Sequence, residues 1–277
     1  VPTVRDNPFA SEELVGNQQD QLRAAKEVIA GPVPLMSDAP DCSLVLPRGL
    51  YIQGMFKTNA TVRELTGTDE ESLAKQREPN DYFDLVIALG VERIDDFDLG
   101  ALPVAERQGH LRTLLIGERD MLFLAVVKAT FGERKTLGFK CQTCGEEQEI
   151  DLLLSDDFKP KITDDLAMSY AFTTSKGVEL EYRLANGEDQ REAFARKGAT
   201  TAEQNTVILS RCIISVSGGL VVDPLGFARK LSIKDRQLLL DGLISRQPTI
   251  DLGVTTTCAA CGADQALALG WMDLFRP

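Results

Sequence analysis

Apolar and polar positions change rhythm several times along the chain. Ser43-Leu44-Val45-Leu46 is a short apolar run that meets Pro47-Arg48-Gly49, and Leu50-Tyr51 opens a second run continuing toward Val62-Arg63-Glu64-Leu65. That pattern predicts two strands joined at the Pro/Gly turn. Thr68-Asp69-Glu70-Glu71 offers an N-cap followed by acidic first-turn residues, so a helix is expected until Pro79 interrupts it. A second short helix is expected over 82–90, with Phe83, Val86, Ile87 and Leu89 apolar. From Leu102-Pro103 onward, Leu111, Leu114, Leu115, Leu122, Ala125 and Val126 recur at helical spacing up to Phe131-Gly132, where glycine supplies the stop. This stretch reads as the main core helix region. The Arg119-Asp120 pair inside it reads as solvated or interface-facing rather than as a buried ion pair.

Beyond Gly132 the period shortens to two. Leu137-Gly138-Phe139-Lys140 predicts a strand leading into a cysteine pair, residues 148–154 a strand leaving it, and Val178 to Leu184 a further alternating strand. Asn186-Gly187-Glu188-Asp189 then turns the chain into a polar helix over 190–196. Amphipathic helices are expected over 202–214 and 232–246, the second bounded by Pro248. Residues 1–40 carry several Asn and Gln and the sequence Gly31-Pro32-Val33-Pro34, which reads as an extended arm with one short helix around 18–29, or as a disordered tail.

Cys141-Gln142-Thr143-Cys144-Gly145 and Cys258-Ala259-Ala260-Cys261-Gly262 are one unit written twice. The two-residue spacer lets both sulfurs point to one side of a tight turn, and the glycine permits the backbone conformation that aims amides at the thiolates. Two such knuckles supply four sulfurs, the set that takes one structural Zn2+ per chain with every position filled by protein. Two disulfides are disfavoured in a reducing compartment, and a redox pair does not account for a second knuckle. Cys42 and Cys212 sit among apolar residues without ligand spacing and read as small buried hydrophobes. No internal repeat of fixed period shows apart from the knuckles. The fold class is therefore α+β, a helical domain with short β elements built around a split four-cysteine zinc ribbon. Its expected organisation is an N-terminal arm over 1–40, a β-hairpin and helical domain over 41–135, and a zinc-ribbon domain over 136–277 with a helical insertion between the knuckles.

Composition narrows the function. The 277 residues are enough for one large or two modest domains with a core to support them. With 42 acidic against 30 basic residues the net charge is -12, which repels a phosphate backbone. No apolar run reaches the ~18 residues that span a bilayer, and Val1 to Asp6 lacks a signal-peptide pattern, so a cytosolic protein is expected. The single histidine, His110, reads as a surface residue at a helix start. No phosphate loop, nucleophile elbow or metalloprotease motif is present, and one histidine leaves few acid/base designs, so no enzyme is expected.

Several stretches resemble the T4-type baseplate proteins of contractile-tailed phages and contractile injection systems, including hub subunits and hub assembly chaperones. They are Leu44 to Tyr51, Val62 to Leu73, Leu115-Ile116-Gly117-Glu118-Arg119-Asp120 through Phe131-Gly132 to Cys141 and Cys144, Tyr182 to Gln190, and Asp235-Arg236 through Cys258 and Cys261 to Trp271-Met272-Asp273-Leu274-Phe275. The resemblance implies a non-enzymatic protein of the virion tail baseplate, assembled in the host cytoplasm and bound to other baseplate or tail proteins. The competing class, a zinc-ribbon nucleic-acid-binding module, needs basic and aromatic residues around the knuckles, whereas Glu146-Glu147 and Asp264 stand there. Leu269, Trp271, Leu274 and Phe275 read as a cap on the protein's own core ahead of a partner contact, and Asp95-Asp96-Phe97-Asp98 as a solvated face.

Overall fold

The computed structural model describes residues 42–163 and 166–275, so the arm expected over 1–40 and the side chain of Cys42 lie outside the described residues. β1 (Cys42–Ile52) and β2 (Met55–Val62) pair antiparallel and turn at Gln53-Gly54, both at positive φ. The turn expected at Pro47-Gly49 is instead a bulge inside β1, where the register shifts between Val45 and Leu50. α1 (Gly67–Leu73) is capped by Thr66, two residues before the expected Thr68, because Asp69 at the third helical position closes the capping box. Pro79 opens α2 (Pro79–Gly90), where its missing N–H costs nothing.

β3 (Val91–Ile94) and β4 (Phe97–Asp98) form a small hairpin that the acidic reading of Asp95 to Asp98 missed. Asp95 is not merely solvated, since its carboxylate accepts from the Thr58 amide at 2.7 Å and from Asn59 Nδ2 at 2.6 Å. The long helical region is two helices, α3 (Val104–Arg112) and α4 (Ile116–Phe131). His110 falls in the last turn of α3, half-buried against Phe97 at 5.0 Å, and not at a helix start. β5 (Arg134–Lys140), β6 (Glu147–Leu153) and the short α5 (Leu154–Asp157) complete this half.

The next eleven elements repeat the first eleven in kind and order. They are β7 (Tyr170–Thr173), β8 (Glu179–Tyr182), α6 (Gly187–Phe194), α7 (Thr201–Cys212), β9 (Ile213–Val216), β10 (Gly219–Leu220), α8 (Pro224–Lys230), α9 (Ile233–Ser245), β11 (Gly253–Thr257), β12 (Asp264–Ala268) and α10 (Trp271–Phe275). The two four-stranded sheets run β1-β2-β3-β4 and β7-β8-β9-β10 in matching order. Their registers correspond rung by rung. Ala60 faces Ile94 as Leu180 faces Val216, and both ladders shift at the next-but-one residue, between Thr61 and Val62 and between Glu181 and Tyr182.

The polar contacts after each second strand are duplicated as well. Arg63 binds the Asp69 carboxylate at 2.8 and 3.0 Å and the Glu64 carbonyl at 2.7 Å, while Arg183 binds Asp189 at 2.6 and 2.9 Å and the Leu184 carbonyl at 3.0 Å. At the third position of the long helix, Glu118 accepts the Arg48 and Gly49 amides of the first hairpin, and Asp235 accepts the Ser175 amide of the second. The structure thus adds a duplication that no fixed period in the sequence announces: the stretch between the knuckles repeats the arrangement that precedes the first.

Each half has a core. The first gathers Leu46, Val86, Ile94, Leu122, Phe123 and Val126, closed by Leu274 and Phe275 from the C-terminal α10. Phe123 lies 5.4 Å from Trp271 and 6.0 Å from Phe275, so the terminal aromatics do cap the protein's own core. The second core gathers Leu180, Tyr182, Leu209, Cys212, Leu239 and Leu243, with Leu115 reaching in from the first half. Around Leu115 the halves are stitched: the Gly187 amide donates to the Leu114 carbonyl at 3.2 Å and the Ile116 amide to the Ala185 carbonyl at 3.4 Å. Arg119 is 3% exposed, pairs with Asp84 and donates to Gln190 at 3.0 Å. Of the solvated or interface-facing pair expected at Arg119-Asp120, Arg119 is instead buried at the junction between the halves and pairs with Asp84 rather than with Asp120. Gly117 and Gly187 permit the close approach, since a Cβ would fall 1.6 Å from the Pro248 carbonyl oxygen and 2.5 Å from Arg119 Nη1.

Candidate metal centre

The β5–β6 and β11–β12 hairpins bring their tips together. In each, the first cysteine's amide and carbonyl close the turn: Cys141 N–H donates to the Glu146 carbonyl and receives Gly145 N–H on its own carbonyl, both at 2.9 Å. Cys258 does the same with Ala263 at 2.9 Å and Gly262 at 2.8 Å. Gly145 and Gly262 hold φ of 78° and 73°, the left-handed conformation that the sequence pattern called for.

This geometry places all four sulfurs of Cys141, Cys144, Cys258 and Cys261 within 4.8 Å of one another. Cys141 Sγ lies 3.8 Å from Cys261 Sγ, and Cys144 Sγ lies 3.7 Å from Cys258 Sγ. Four thiolates at the Zn–S distance of about 2.3 Å form a tetrahedron with edges of about 3.8 Å. Two of the six sulfur–sulfur edges thus match that length, and none exceeds 4.8 Å. Cys141 and Cys258 are buried, and Cys144 and Cys261 face solvent.

Backbone amides are aimed at three of the four sulfurs. Amides of Cys144 and Thr143 point at Cys141 Sγ and draw its pKa down to about 6, while the Glu146 and Ala263 amides point at Cys144 and Cys261. For Cys144 the Glu146 amide is outweighed by burial and the neighbouring sulfurs, which push it up to about 12. Four sulfurs this close cannot all ionise beside one another, and a divalent ion removes that conflict. Cys212 stands apart. Burial pushes its thiol up to about 12, as suits a small apolar side chain of the second core.

Two glutamines lock the knuckles together. Gln148 Oε1 accepts the Ala259 amide of the other knuckle, and Gln265 Oε1 accepts the Gln142 amide in return, both at 2.9 Å. Sequence reasoning stopped at the glycine and missed them. Each knuckle in fact reads C-x-x-C-G-x-x-Q, and that shared glutamine was the available signal.

The fold and the cluster define an α+β protein in which two like halves close on a split four-sulfur centre. The chain belongs to the T4 bacteriophage base plate protein family, whose pattern matches residues 59–276. No curated protein and no solved structure matches it. Among the described residues, no helix is long and apolar enough to cross a membrane.

Proposed function

We propose that this chain is a non-enzymatic structural component of a contractile-tail baseplate, in its hub region. Cys141, Cys144, Cys258 and Cys261 hold one structural Zn2+, and neighbouring baseplate or tail proteins bind the outer surfaces. The observation that carries the metal is the sulfur spacing of 3.7 and 3.8 Å, which is the edge of a zinc tetrathiolate. With all four positions taken by protein, the ion leaves no place for water or substrate and serves as a staple between the halves. The acidic balance, with a net charge of -12, suits protein neighbours better than nucleic acid.

Native mass spectrometry of the purified chain, together with the protein inventory of purified particles, tests both parts. One zinc per chain and presence in finished particles are expected. A metal-free folded chain would sink the staple. Zinc-loaded protein that is missing from finished particles would sink the permanent role and identify an assembly chaperone of the same hub.

A further inference from the structure

The knuckles pair reciprocally, but the bodies of the two halves do not. In the first half, the entry to α4 (Leu114-Leu115-Ile116) forms an antiparallel rung with Ala185-Asn186-Gly187 of the second. The matching entry to α9 is Leu231-Ser232-Ile233, and the matching loop is Leu65-Thr66-Gly67 in front of α1. These two do not meet within the chain. Among the described residues, the Leu231 carbonyl, Ile233 amide, Leu65 carbonyl and Gly67 amide carry no hydrogen bond. Ile233 is 85% exposed, and a Cβ built on Gly67 meets nothing within 4 Å.

Both halves of an interface that the chain already uses once are thus present a second time and unused. A contact of this head-to-tail kind, made inside the chain, leaves one donor end and one acceptor end. We propose that the first turn of α9 in one copy docks beside Leu65-Thr66-Gly67 of a second copy, so that copies of this chain join head to tail. The proposal goes beyond the baseplate reading and does not depend on the metal.

The acceptor end is shaped for it. A cavity of about 310 Å3 opens beside the loop, lined by Leu65, Gly67, Leu73, Tyr82, Phe131 and Phe275 among others. It lies where the first turn of α4 sits in the internal junction, wedged between Pro248 and Ala185-Asn186 with the first turn of α6. Ile233 is the apolar side chain that fills it, and because Lys234 stands where the close-packed Gly117 does, the docked helix sits further from its neighbour than α4 sits from Pro248. Arg119 donates to Gln190 inside the chain, and the residues in those two places at the open ends are Arg236 and Glu70. Arg236 already donates to the Ala228 and Ala202 carbonyls and to Thr206 Oγ1, so Glu70 meets it as an opposite charge at the rim of the contact and not through a hydrogen bond of the Arg119–Gln190 kind.

Sedimentation of the full chain from micromolar to millimolar concentration tests this, with Glu70→Arg blocking one end and Ile233→Glu the other. Both side chains are exposed, so neither change disturbs a core. The wild-type mass is expected to climb past two copies, and each variant alone to remain a single copy. An equimolar mixture of the two variants keeps one intact donor and one intact acceptor, and it is expected to form a one-to-one pair and stop there. A wild-type chain that stays monomeric throughout, or stops at two copies, overturns the proposal. So does a mixture that behaves as the sum of its parts.

Discussion

Glu118 and Gly49 hold the first hairpin to the long helix. Glu118 Oε1 accepts the Gly49 amide at 2.7 Å, and the same oxygen takes the Arg48 amide at 2.6 Å, while Oε2 receives the Leu115 amide at 3.2 Å. The carboxylate is fully buried. Burial raises its pKa despite the amides, so three backbone donors and one side chain are mutually dependent.

Removing that side chain strands the donors. Glu118→Ala is expected to cost at least about 3 kcal/mol, because each buried donor left alone costs ~1–3 kcal/mol. Gly49→Ala is expected to cost at least about 2 kcal/mol, since φ is +83° and the new Cβ would lie 2.1 Å from the Lys57 carbonyl oxygen. Urea denaturation at neutral pH measures both. A loss under ~1 kcal/mol for either would mean that the bulge is held from elsewhere.

The same pair shows what the sequence could and could not reveal. The cysteine knuckles were legible because a hairpin tip that brings two sulfurs to one side demands fixed local spacing, and the amphipathic helices because burial on one face imposes a period. The bulge was not, because Pro47-Arg48-Gly49 has turn chemistry and only a distant carboxylate makes it continue as a strand. β3 and β10 are too short to show a period. The duplication escaped because its shared residues are sparse and their separation drifts. It is longer from Gly90 to Cys212 than from Arg63 to Arg183, and shorter from Cys141 to Cys258. What persists is what the geometry requires, namely the arginine-carboxylate clamp, the helix-start carboxylate and the cysteines.

Thiol accessibility should separate the cysteines by role. In the metal-loaded chain the four clustered sulfurs are tied up, and Cys212 is buried with its thiol held protonated by burial. Chelation followed by a thiol reagent is therefore expected to raise the number of fast-reacting cysteines by four, with Cys212 reacting only on unfolding. An increase of two would point to an ion held by one knuckle alone.

Asp189 and Asp69 occupy matched places but different depths. Asp189 is 0% exposed and serves both Arg183 and Arg211, whereas Asp69, 7% exposed, pairs among the described residues with one arginine, Arg63, and accepts from Thr66. Burial disfavours the Asp189 carboxylate, but the Arg183 pair and the Asn186 amide outweigh it and hold its pKa below the ordinary range. Its contribution is thus complete above the ordinary carboxylate pKa and is lost as pH falls through the lowered value. Asp189→Asn is expected to cost about 3 kcal/mol at pH 7, and Asp69→Asn distinctly less. Equal losses in thermal unfolding would contradict the depth argument.

Asp120 carries the opposite sign. Its neighbour Arg119 is committed to Asp84 and Gln190, and among the described residues no donor lies within hydrogen-bonding distance of the Asp120 carboxylate. It lines a cavity of about 220 Å3 whose other charged groups are Asp81 and Asp84 from α2, Arg119 beside it, and Arg191 from α6. Burial pushes its pKa up to about 7, with the charge of Arg119 pulling the other way. Here the folded chain holds a proton that the unfolded chain has released, so this group's contribution to stability falls as pH rises from about 4 to 7. Asp120→Asn keeps the shape without the charge. The variant is expected to match the wild type near pH 4 and to exceed it by roughly 1–3 kcal/mol at pH 8, where the wild type must keep a bare carboxylate in the cavity. Paired urea titrations at the two pH values decide the matter. A variant less stable than the wild type at pH 8 would show that the carboxylate is paired in solution and that the cavity is not a site of stored electrostatic cost.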